Sequence, residues 1–373
     1  MSMRITIVQG AFLPIPPVLG GAVEKIWFGL AQEFARRGHR VTHISQQHKT
    51  LKREEVVEGV HHIRIPGFEI PGSLLRLKWR DLVYSLRTLR VLPEADVIVT
   101  NTFWLPIIAP KIERGRIYVH IARYPKGQIK FYRKAARLQT VSTAVGEAVR
   151  KEAPVLSSRV RVIPNFVPQL GCNRDIVREK SILYVGRVHP EKGIHLLVEA
   201  FERLVADGVC DWKLRIVGPW QVNFGGGGGG YFHALRRQSQ KLGNLVEWIG
   251  PVFDTEALHT YYRQSKVFAY PSLAERGETF GLAPLEAMAA GCPPVVSALE
   301  CFKDFVKPGI NGWTFDHCAS AGATNLTAAL RNAITAVDTL PGIRDSAMET
   351  ARVFSLTRVA DQYLKDFEEI VAA

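Results

Sequence analysis

Two carboxylates, Glu278 and Glu286, stand eight positions apart, with Phe280, Gly281 and Leu282 between them and a helix-like run at 285–290 behind. Gly281 lets the backbone come close to a ligand, because no Cβ intervenes. The amides of Phe280, Gly281 and Leu282 lie at the head of that helix, where unpaired N–H groups and the positive dipole end suit a phosphate. Glu286 would sit about one turn into the helix, within reach of a hydroxyl. Donor amides for an anion beside carboxylates for hydroxyls describe a site for a sugar phosphate or a nucleotide. An isolated glutamate pair is more often a pair of solvated charges. Here Pro284, Gly291 and the apolar residues 293–296 tie the two to a strand–loop–helix frame.

A second group lies about 90 residues earlier. The apolar run 182–185 leads into Gly186 and Arg187, then Pro190, Glu191, Lys192 and Gly193, then a helical pattern. Arg187 and Lys192 therefore fall at the carboxyl end of a strand, where open α/β sheets present their ligands. Two cations there can neutralise a diphosphate through charge-assisted hydrogen bonds, each contributing roughly 1.5–3 kcal/mol. On spacing alone they read equally well as surface charges flanking a helix start. Gly20 and Gly21 open the helical stretch 22–37, either as a tight turn or as amides facing the same anion. His120 ends the strand-like run 117–120; a lone histidine there is more often structural than a ligand contact.

These residues need elements to hold them, and the chain supplies two similar series. Strand-like runs occur at 5–8, 40–45, 62–65, 97–100, 117–120, 138–141 and 161–163, then at 182–185, 214–217, 245–249, 267–270, 294–297 and 313–315. Helical patterns separate them, including 22–37, 194–206 and 255–264. Nearly continuous apolar strands alternating with helices imply parallel sheets covered on both faces. With 373 residues, two doubly wound domains are expected, joined near 165–178 where Pro168, Gly171 and polar residues interrupt the pattern. The glycine run 225–230 lacks the Lys-Ser/Thr of a phosphate cradle and reads as a flexible surface loop.

The order Glu, seven residues, Glu with Phe-Gly inside, preceded by Gly-Arg and Glu-Lys-Gly, resembles the signature of the retaining GT-B glycosyltransferases, family 4. The resemblance runs along nearly the whole chain and is most specific between Ile182 and Val296. It implies a GT-B fold, α/β, with two doubly wound Rossmann-like domains facing a central cleft. Residues 1–168 would bind the acceptor, 169–354 the nucleotide-sugar, and 355–373 would cross back as a helix onto the first domain. It further implies that Arg187 and Lys192 grip the donor diphosphate and that Glu286 holds the ribose. Glu278 and His120 would position the donor sugar, and Gly20 and Gly21 would lie beside phosphate and acceptor. Tyr270, Pro271 and Ser272 look like the family's Pro-Ser element, and residues 250–253, with Phe253, correspond to the stretch that meets the base. His189 is atypical and carries no assigned role.

The donor this implies is a UDP-sugar, with GDP-mannose as the alternative, and the acceptor a hydroxyl of a glycan, glycolipid or glycoside. No cofactor or metal is expected: the sequence has no Asp-x-Asp and no His/Cys cluster at metal-ligand spacing, and GT-B enzymes use cations and helix dipoles instead. A nucleotide-sugar epimerase of the same fold and a non-catalytic nucleotide-sugar-binding protein are the rival readings.

Net charge is +13, and it is unevenly placed. Up to Leu170 there are 27 Lys and Arg against 12 Asp and Glu, a balance of +15; from Gly171 onward the numbers are 21 and 23, a balance of −2. A basic first half suggests an anionic partner, such as a phosphate-bearing lipid or the inner face of a membrane. Leu75, Trp79, Leu82, Leu86 and Leu89 recur at helical spacing beside Arg76, Arg80, Arg87 and Arg90. Such a helix can lie on an acidic bilayer, although its apolar stripe more often packs on its own sheet. A basic and aromatic run at 123–137 is compatible with nucleic acid, but no nucleic-acid module is recognisable, so none is expected as a partner. The five scattered cysteines fit a reducing cytoplasm, and residues 5–8 read as a first strand rather than a targeting peptide.

Overall fold

The computed structural model describes residues 2–109, 115–169, 177–318, 321–339 and 341–373. Cys172 and the middle of the expected join lie outside them. The chain divides into two compact units: Met1–Phe166 with Leu356–Ala373, and Val167–Ser355.

The first unit contains β1 (Arg4–Val8), α1 (Ala22–Arg36), β2 (Arg40–Gln46), β3 (Glu54–Val57), β4 (Val60–Ile65), α2 (Leu74–Val91), β5 (Val97–Thr100), α3 (Leu105–Ile108), β6 (Arg116–Ile121), β7 (Arg137–Thr140), α4 (Thr143–Glu152) and β8 (Val160–Val162). Its sheet order is β3-β4-β2-β1-β5-β6-β7-β8, parallel except for the β3–β4 hairpin at one edge. Beginning at β1, the chain winds toward β2 and then returns to β5, so the order reverses between β1 and β5. Such a reversal opens a crevice at the strands' carboxyl ends.

The second unit contains β9 (Glu179–Val185), α5 (Ile194–Ala206), β10 (Lys213–Val217), α6 (Gly228–Gln238), β11 (Val246–Gly250), α7 (Thr255–Gln264), β12 (Ser265–Tyr270), α8 (Leu282–Ala289), β13 (Pro294–Ser297), β14 (Trp313–Phe315), α9 (Gly322–Thr339) and α10 (Pro341–Val353). All six strands run parallel in the order β11-β10-β9-β12-β13-β14, with the reversal between β9 and β12. This is the doubly wound order that binds nucleotides at its switch point.

The last helix, α11 (Leu356–Ala372), belongs to the first unit. Val359, Ala360, Tyr363, Phe367 and Ile370 form its buried stripe, packed with Trp27, Leu30 and Phe34 of α1 and Ile5 and Ile7 of β1. Its one buried carboxylate, Asp366, accepts from the Tyr118 hydroxyl at 2.8 Å and pairs with Arg137 at 2.7 Å. A buried charge persists only when paired and hydrogen-bonded in this way.

Two local expectations are corrected. α2 buries Asp81, Tyr84, Ser85 and Thr88 and exposes Leu74, Leu75, Trp79 and Leu86, so its apolar stripe does not pack on the sheet. Asp81 fixes this orientation by accepting the amides of Phe103 and Trp104 at 3.0 and 3.1 Å. The glycine run is no flexible loop: Gly226 and Gly227 are bonded to Gln221 and Val188, and Gly228 opens α6. A Cβ at Gly226 would lie 2.2 Å from the Trp220 carbonyl carbon, which is why glycine is required there.

Candidate active site

The switch point of the second sheet brings together the loops after β9 and β12. Leu273 N donates to Glu191 O at 2.7 Å, and Gly193, at φ 65°, sits so close that a Cβ would fall 2.0 Å from Pro271 O. The stitching delivers Lys192 to Glu278: Nζ donates to Oε2 at 2.7 Å, with only 7% and 11% of the two side chains exposed. The same oxygen accepts from the Tyr270 hydroxyl at 3.2 Å and from Ser272 Oγ at 3.3 Å. Burial beside that carboxylate pushes the Tyr270 phenol well above its ordinary value, so it remains a donor. Lys192 also lies 5.5 Å from the centre of the Tyr270 ring.

Arg187 stands at the mouth of this cluster, half exposed. Its guanidinium donates to Gly225 O and to Glu191 Oε1, each at 2.7 Å. The ordered glycine turn thus holds the arginine, a role invisible in the sequence. His189 has a local one, since its Nδ1 accepts from Glu191 N at 3.3 Å and caps the turn that carries Lys192.

Downstream, Gly281 precedes α8 at φ 92°, a left-handed conformation that favours glycine. The space a Cβ would fill is taken by the Phe302 ring at 2.4 Å, so the glycine serves chain reversal and packing. Phe280 is buried against Phe305 and Phe354, which leaves its backbone for a ligand. Leu282 starts the helix, and Glu286 accepts from the buried Tyr262 hydroxyl at 3.0 Å. Phe253, 74% exposed, lies 5.7 Å from the exposed ring of Phe224. Two exposed rings offer a stacking surface for a planar base.

In the first unit, Gly20 and Gly21 lead into α1 at φ 81° and 100°. A Cβ at Gly21 would strike Glu24 Oε2 at 2.1 Å. Glu24 is buried in the first turn, and burial raises its pKa. His120 is buried in β6, with Nδ1 2.5 Å from Gln139 Oε1. The Gln139 amide nitrogen donates to the Thr140 and Ile163 carbonyls, so the oxygen faces the ring and Nδ1 carries the proton. Burial holds the imidazole neutral by lowering its pKa to about 4. Nε2 is then a bare acceptor, without a partner among the described residues.

His120 is not alone in this. Gln9, just past β1, has both side-chain polar atoms buried without partners among the described residues, and the same holds for Asn101 Oδ1 just past β5 and Gln46 Oε1 at the end of β2. Buried polar atoms normally find partners. These atoms lie at the carboxyl ends of four adjacent strands, where they could hydrogen-bond the hydroxyls of a ligand. Neither spacing nor residue type singles out Gln9, Gln46 or Asn101, because only the strand order brings them to one end of the sheet, and Glu24 carries no motif of its own.

Sequence comparison agrees with this architecture. Residues 20–169 match glycosyltransferase family 4, and residues 174–339 match the glycosyl transferases group 1. The chain belongs to this family of GT-B glycosyltransferases. It is 26% identical over 397 residues to the phosphatidyl-myo-inositol mannosyltransferase of Mycobacterium leprae, covering 100% of this chain and 98% of that one. Among solved structures, a sucrose-phosphate synthase from Thermosynechococcus elongatus superposes with a TM-score of 0.76 at 19% identity, covering 99% and 100% of the two chains. Anabaena HepE, solved with UDP and glucose, gives 0.70 at 18% identity over 98% and 99%.

Proposed function

We propose that the chain transfers a hexose from a nucleotide-sugar to an acceptor hydroxyl with retention of configuration and without a metal. The observation that carries this reading is the buried Lys192–Glu278 pair at the switch point of the second sheet. Lys192 and Arg187 neutralise the donor diphosphate together with the amides at the head of α8. Glu286, oriented by Tyr262, holds the ribose. Glu278 and the acceptor nitrogen of His120 take sugar hydroxyls. The acceptor oxygen attacks the anomeric carbon on the face from which the diphosphate leaves. The C–O bond to phosphate breaks as the new one forms, and the departing phosphate oxygen takes the acceptor's proton. No protein nucleophile is required.

A UDP-sugar is favoured, with GDP-mannose the alternative; HepE is a relative in fold solved with UDP, and the mycobacterial relative is a mannosyltransferase. We further propose an anionic acceptor, met at the inner face of a membrane by the cytoplasmic protein. Among the described residues no helix is long and apolar enough to cross a bilayer. Instead, α2 presents Leu74, Leu75 and Trp79 beside Arg76 and Lys78 on its exposed side, the composition of an interfacial helix. A thermal-shift panel of UDP, GDP, ADP and their sugars tests the donor. The matching nucleotide at 100 times its dissociation constant adds about 2.7 kcal/mol of stability. No shift with any of them contradicts the reading.

A further inference from the structure

Away from the residues assigned to the donor, the loop after β12 and the loop after β14 bring three metal-ligating side chains to one point. One ligand atom each from Glu275, His317 and Cys318 lies within 4.8 Å of the other two. Cys318 Sγ is 3.3 Å from Glu275 Oε1 and 3.5 Å from His317 Nε2, and Nε2 is 4.0 Å from Oε1. A tetrahedral zinc ion with its sulfur ligand at about 2.3 Å and its nitrogen and oxygen ligands at about 2.0–2.2 Å requires ligand–ligand edges of about 3.4–3.6 Å. Two observed edges are close to that value. The third is somewhat long, and the exposed Glu275 side chain can shorten it by rotation.

The presenting turn is built rather than loose. The Cys318 amide donates to Asp316 Oδ1 at 2.9 Å, and Asn325 of α9 donates to the Asp316 carbonyl at 3.1 Å. The imidazole is itself 8% exposed, so its Nε2 is held toward the thiol. One thiolate, one imidazole and one carboxylate form a donor set that suits zinc, whereas magnesium and calcium select oxygen ligands.

We propose that Glu275, His317 and Cys318 form a zinc site that fastens the loop bearing Glu278 to the end of β14. Glu275 and Glu278 share one turn, in which the Gly277 and Glu278 amides donate to Ala274 O at 3.0 and 2.8 Å. Without the ion, the Cys318 S–H group donates a hydrogen bond to Glu275 Oε1. Zinc takes that proton's place: the S–H bond breaks, a sulfur–zinc bond forms, and one proton leaves to solvent. Thiolate and carboxylate together balance the ion's two positive charges, and water completes the fourth position. The ion takes no part in sugar transfer.

The test uses the full-length protein, stripped with chelator, dialysed against low-micromolar zinc and counted by mass spectrometry. Cobalt substitution reports the geometry through thiolate charge-transfer and tetrahedral d–d bands. One equivalent of zinc is expected in the wild type and in Cys210→Ser, which removes the other exposed free thiol among the described residues. One proton should be released per ion. Cys318→Ser and His317→Ala should bind at least tenfold more weakly, with Cys318→Ser melting like the stripped wild type. Less than half an equivalent in the wild type, or unchanged binding in Cys318→Ser, overturns the proposal. Neither result bears on the donor site, which nucleotide-induced melting shifts report separately.

Discussion

Replacing Lys192 by methionine keeps most of the aliphatic stem and deletes the charge. Glu278 is then left nearly buried, with the Tyr270 and Ser272 hydroxyls as donors but without its cation. Breaking a buried pair from one side costs about 3–5 kcal/mol. At about 2–4 °C per kcal/mol for a unit of this size, the melting temperature should fall by about 6–20 °C. Transfer should slow by about 10²-fold or more, because charge on the diphosphate grows in the transition state and each tenfold is about 1.36 kcal/mol. The double variant Lys192→Met/Glu278→Gln removes both charges and should recover most of the stability. Its transfer should stay low. Arg187→Ala provides the contrast: its side chain is half exposed and its ion pair with Glu191 lies at the surface, so turnover should fall about as far as with Lys192→Met while stability changes by about 1 kcal/mol or less. Thermal melts and kcat/KM with the matched donor measure both effects. Near-wild-type turnover in folded Lys192→Met and Arg187→Ala refutes the diphosphate assignment. A double variant as unstable as the single one refutes the pair's structural role.

Transfer should survive EDTA; complete loss restored by magnesium or manganese would contradict a metal-independent mechanism. Binding to acidic vesicles should be measurable by flotation at low salt and fall steeply by about half-molar salt, since each basic residue near the surface contributes roughly 1 kcal/mol before screening. Charge reversal at Arg76, Arg80, Arg87 and Arg90, or Trp79→Asp, should weaken it more than reversal of any four basic residues after Gly171. Arg80 and Arg87 already donate to the Glu69 and Pro66 carbonyls, so Arg76 and Arg90 are the cleaner pair. No flotation even at low salt would leave a soluble anionic acceptor. Burial also lowers the pKa of His43, His62 and His120, the last two to about 4. Between about pH 6.5 and 4 these imidazoles therefore bind more protons in the unfolded chain than in the folded one, and the stability they contribute above that window is lost as pH falls through it. A urea midpoint that stays flat across that range would show that these imidazoles are not buried as described.

Strand and helix order could be read from apolar periodicity because both sheets are parallel and buried on two faces. The exception, β3 at Glu54–Val57, is an exposed antiparallel edge with no buried residue, so it has no apolar signature to read. α2 misled for the opposite reason. Its periodicity is real, but Asp81 anchors the polar face inward and leaves the apolar one outside. At the candidate site, Arg187, Lys192, Glu278 and Glu286 stood out by type and spacing. That Lys192 meets Glu278 across 86 positions depends on β9 and β12 being neighbours, which only the folded topology decides. The juxtaposition of Gln9, Gln46 and Asn101, and the grouping of Glu275 with His317 and Cys318, were hidden for the same reason.

The most direct test of the central claim is to incubate the wild type with each UDP-, GDP- and ADP-hexose and a phosphate-bearing acceptor, and to follow the anomeric proton by NMR. The account predicts that one donor is consumed, that the new glycoside keeps the donor's anomeric configuration, and that the initial signal vanishes in Lys192→Met. A product of inverted configuration would contradict the mechanism, and an epimerised donor with no glycoside formed would contradict transfer itself.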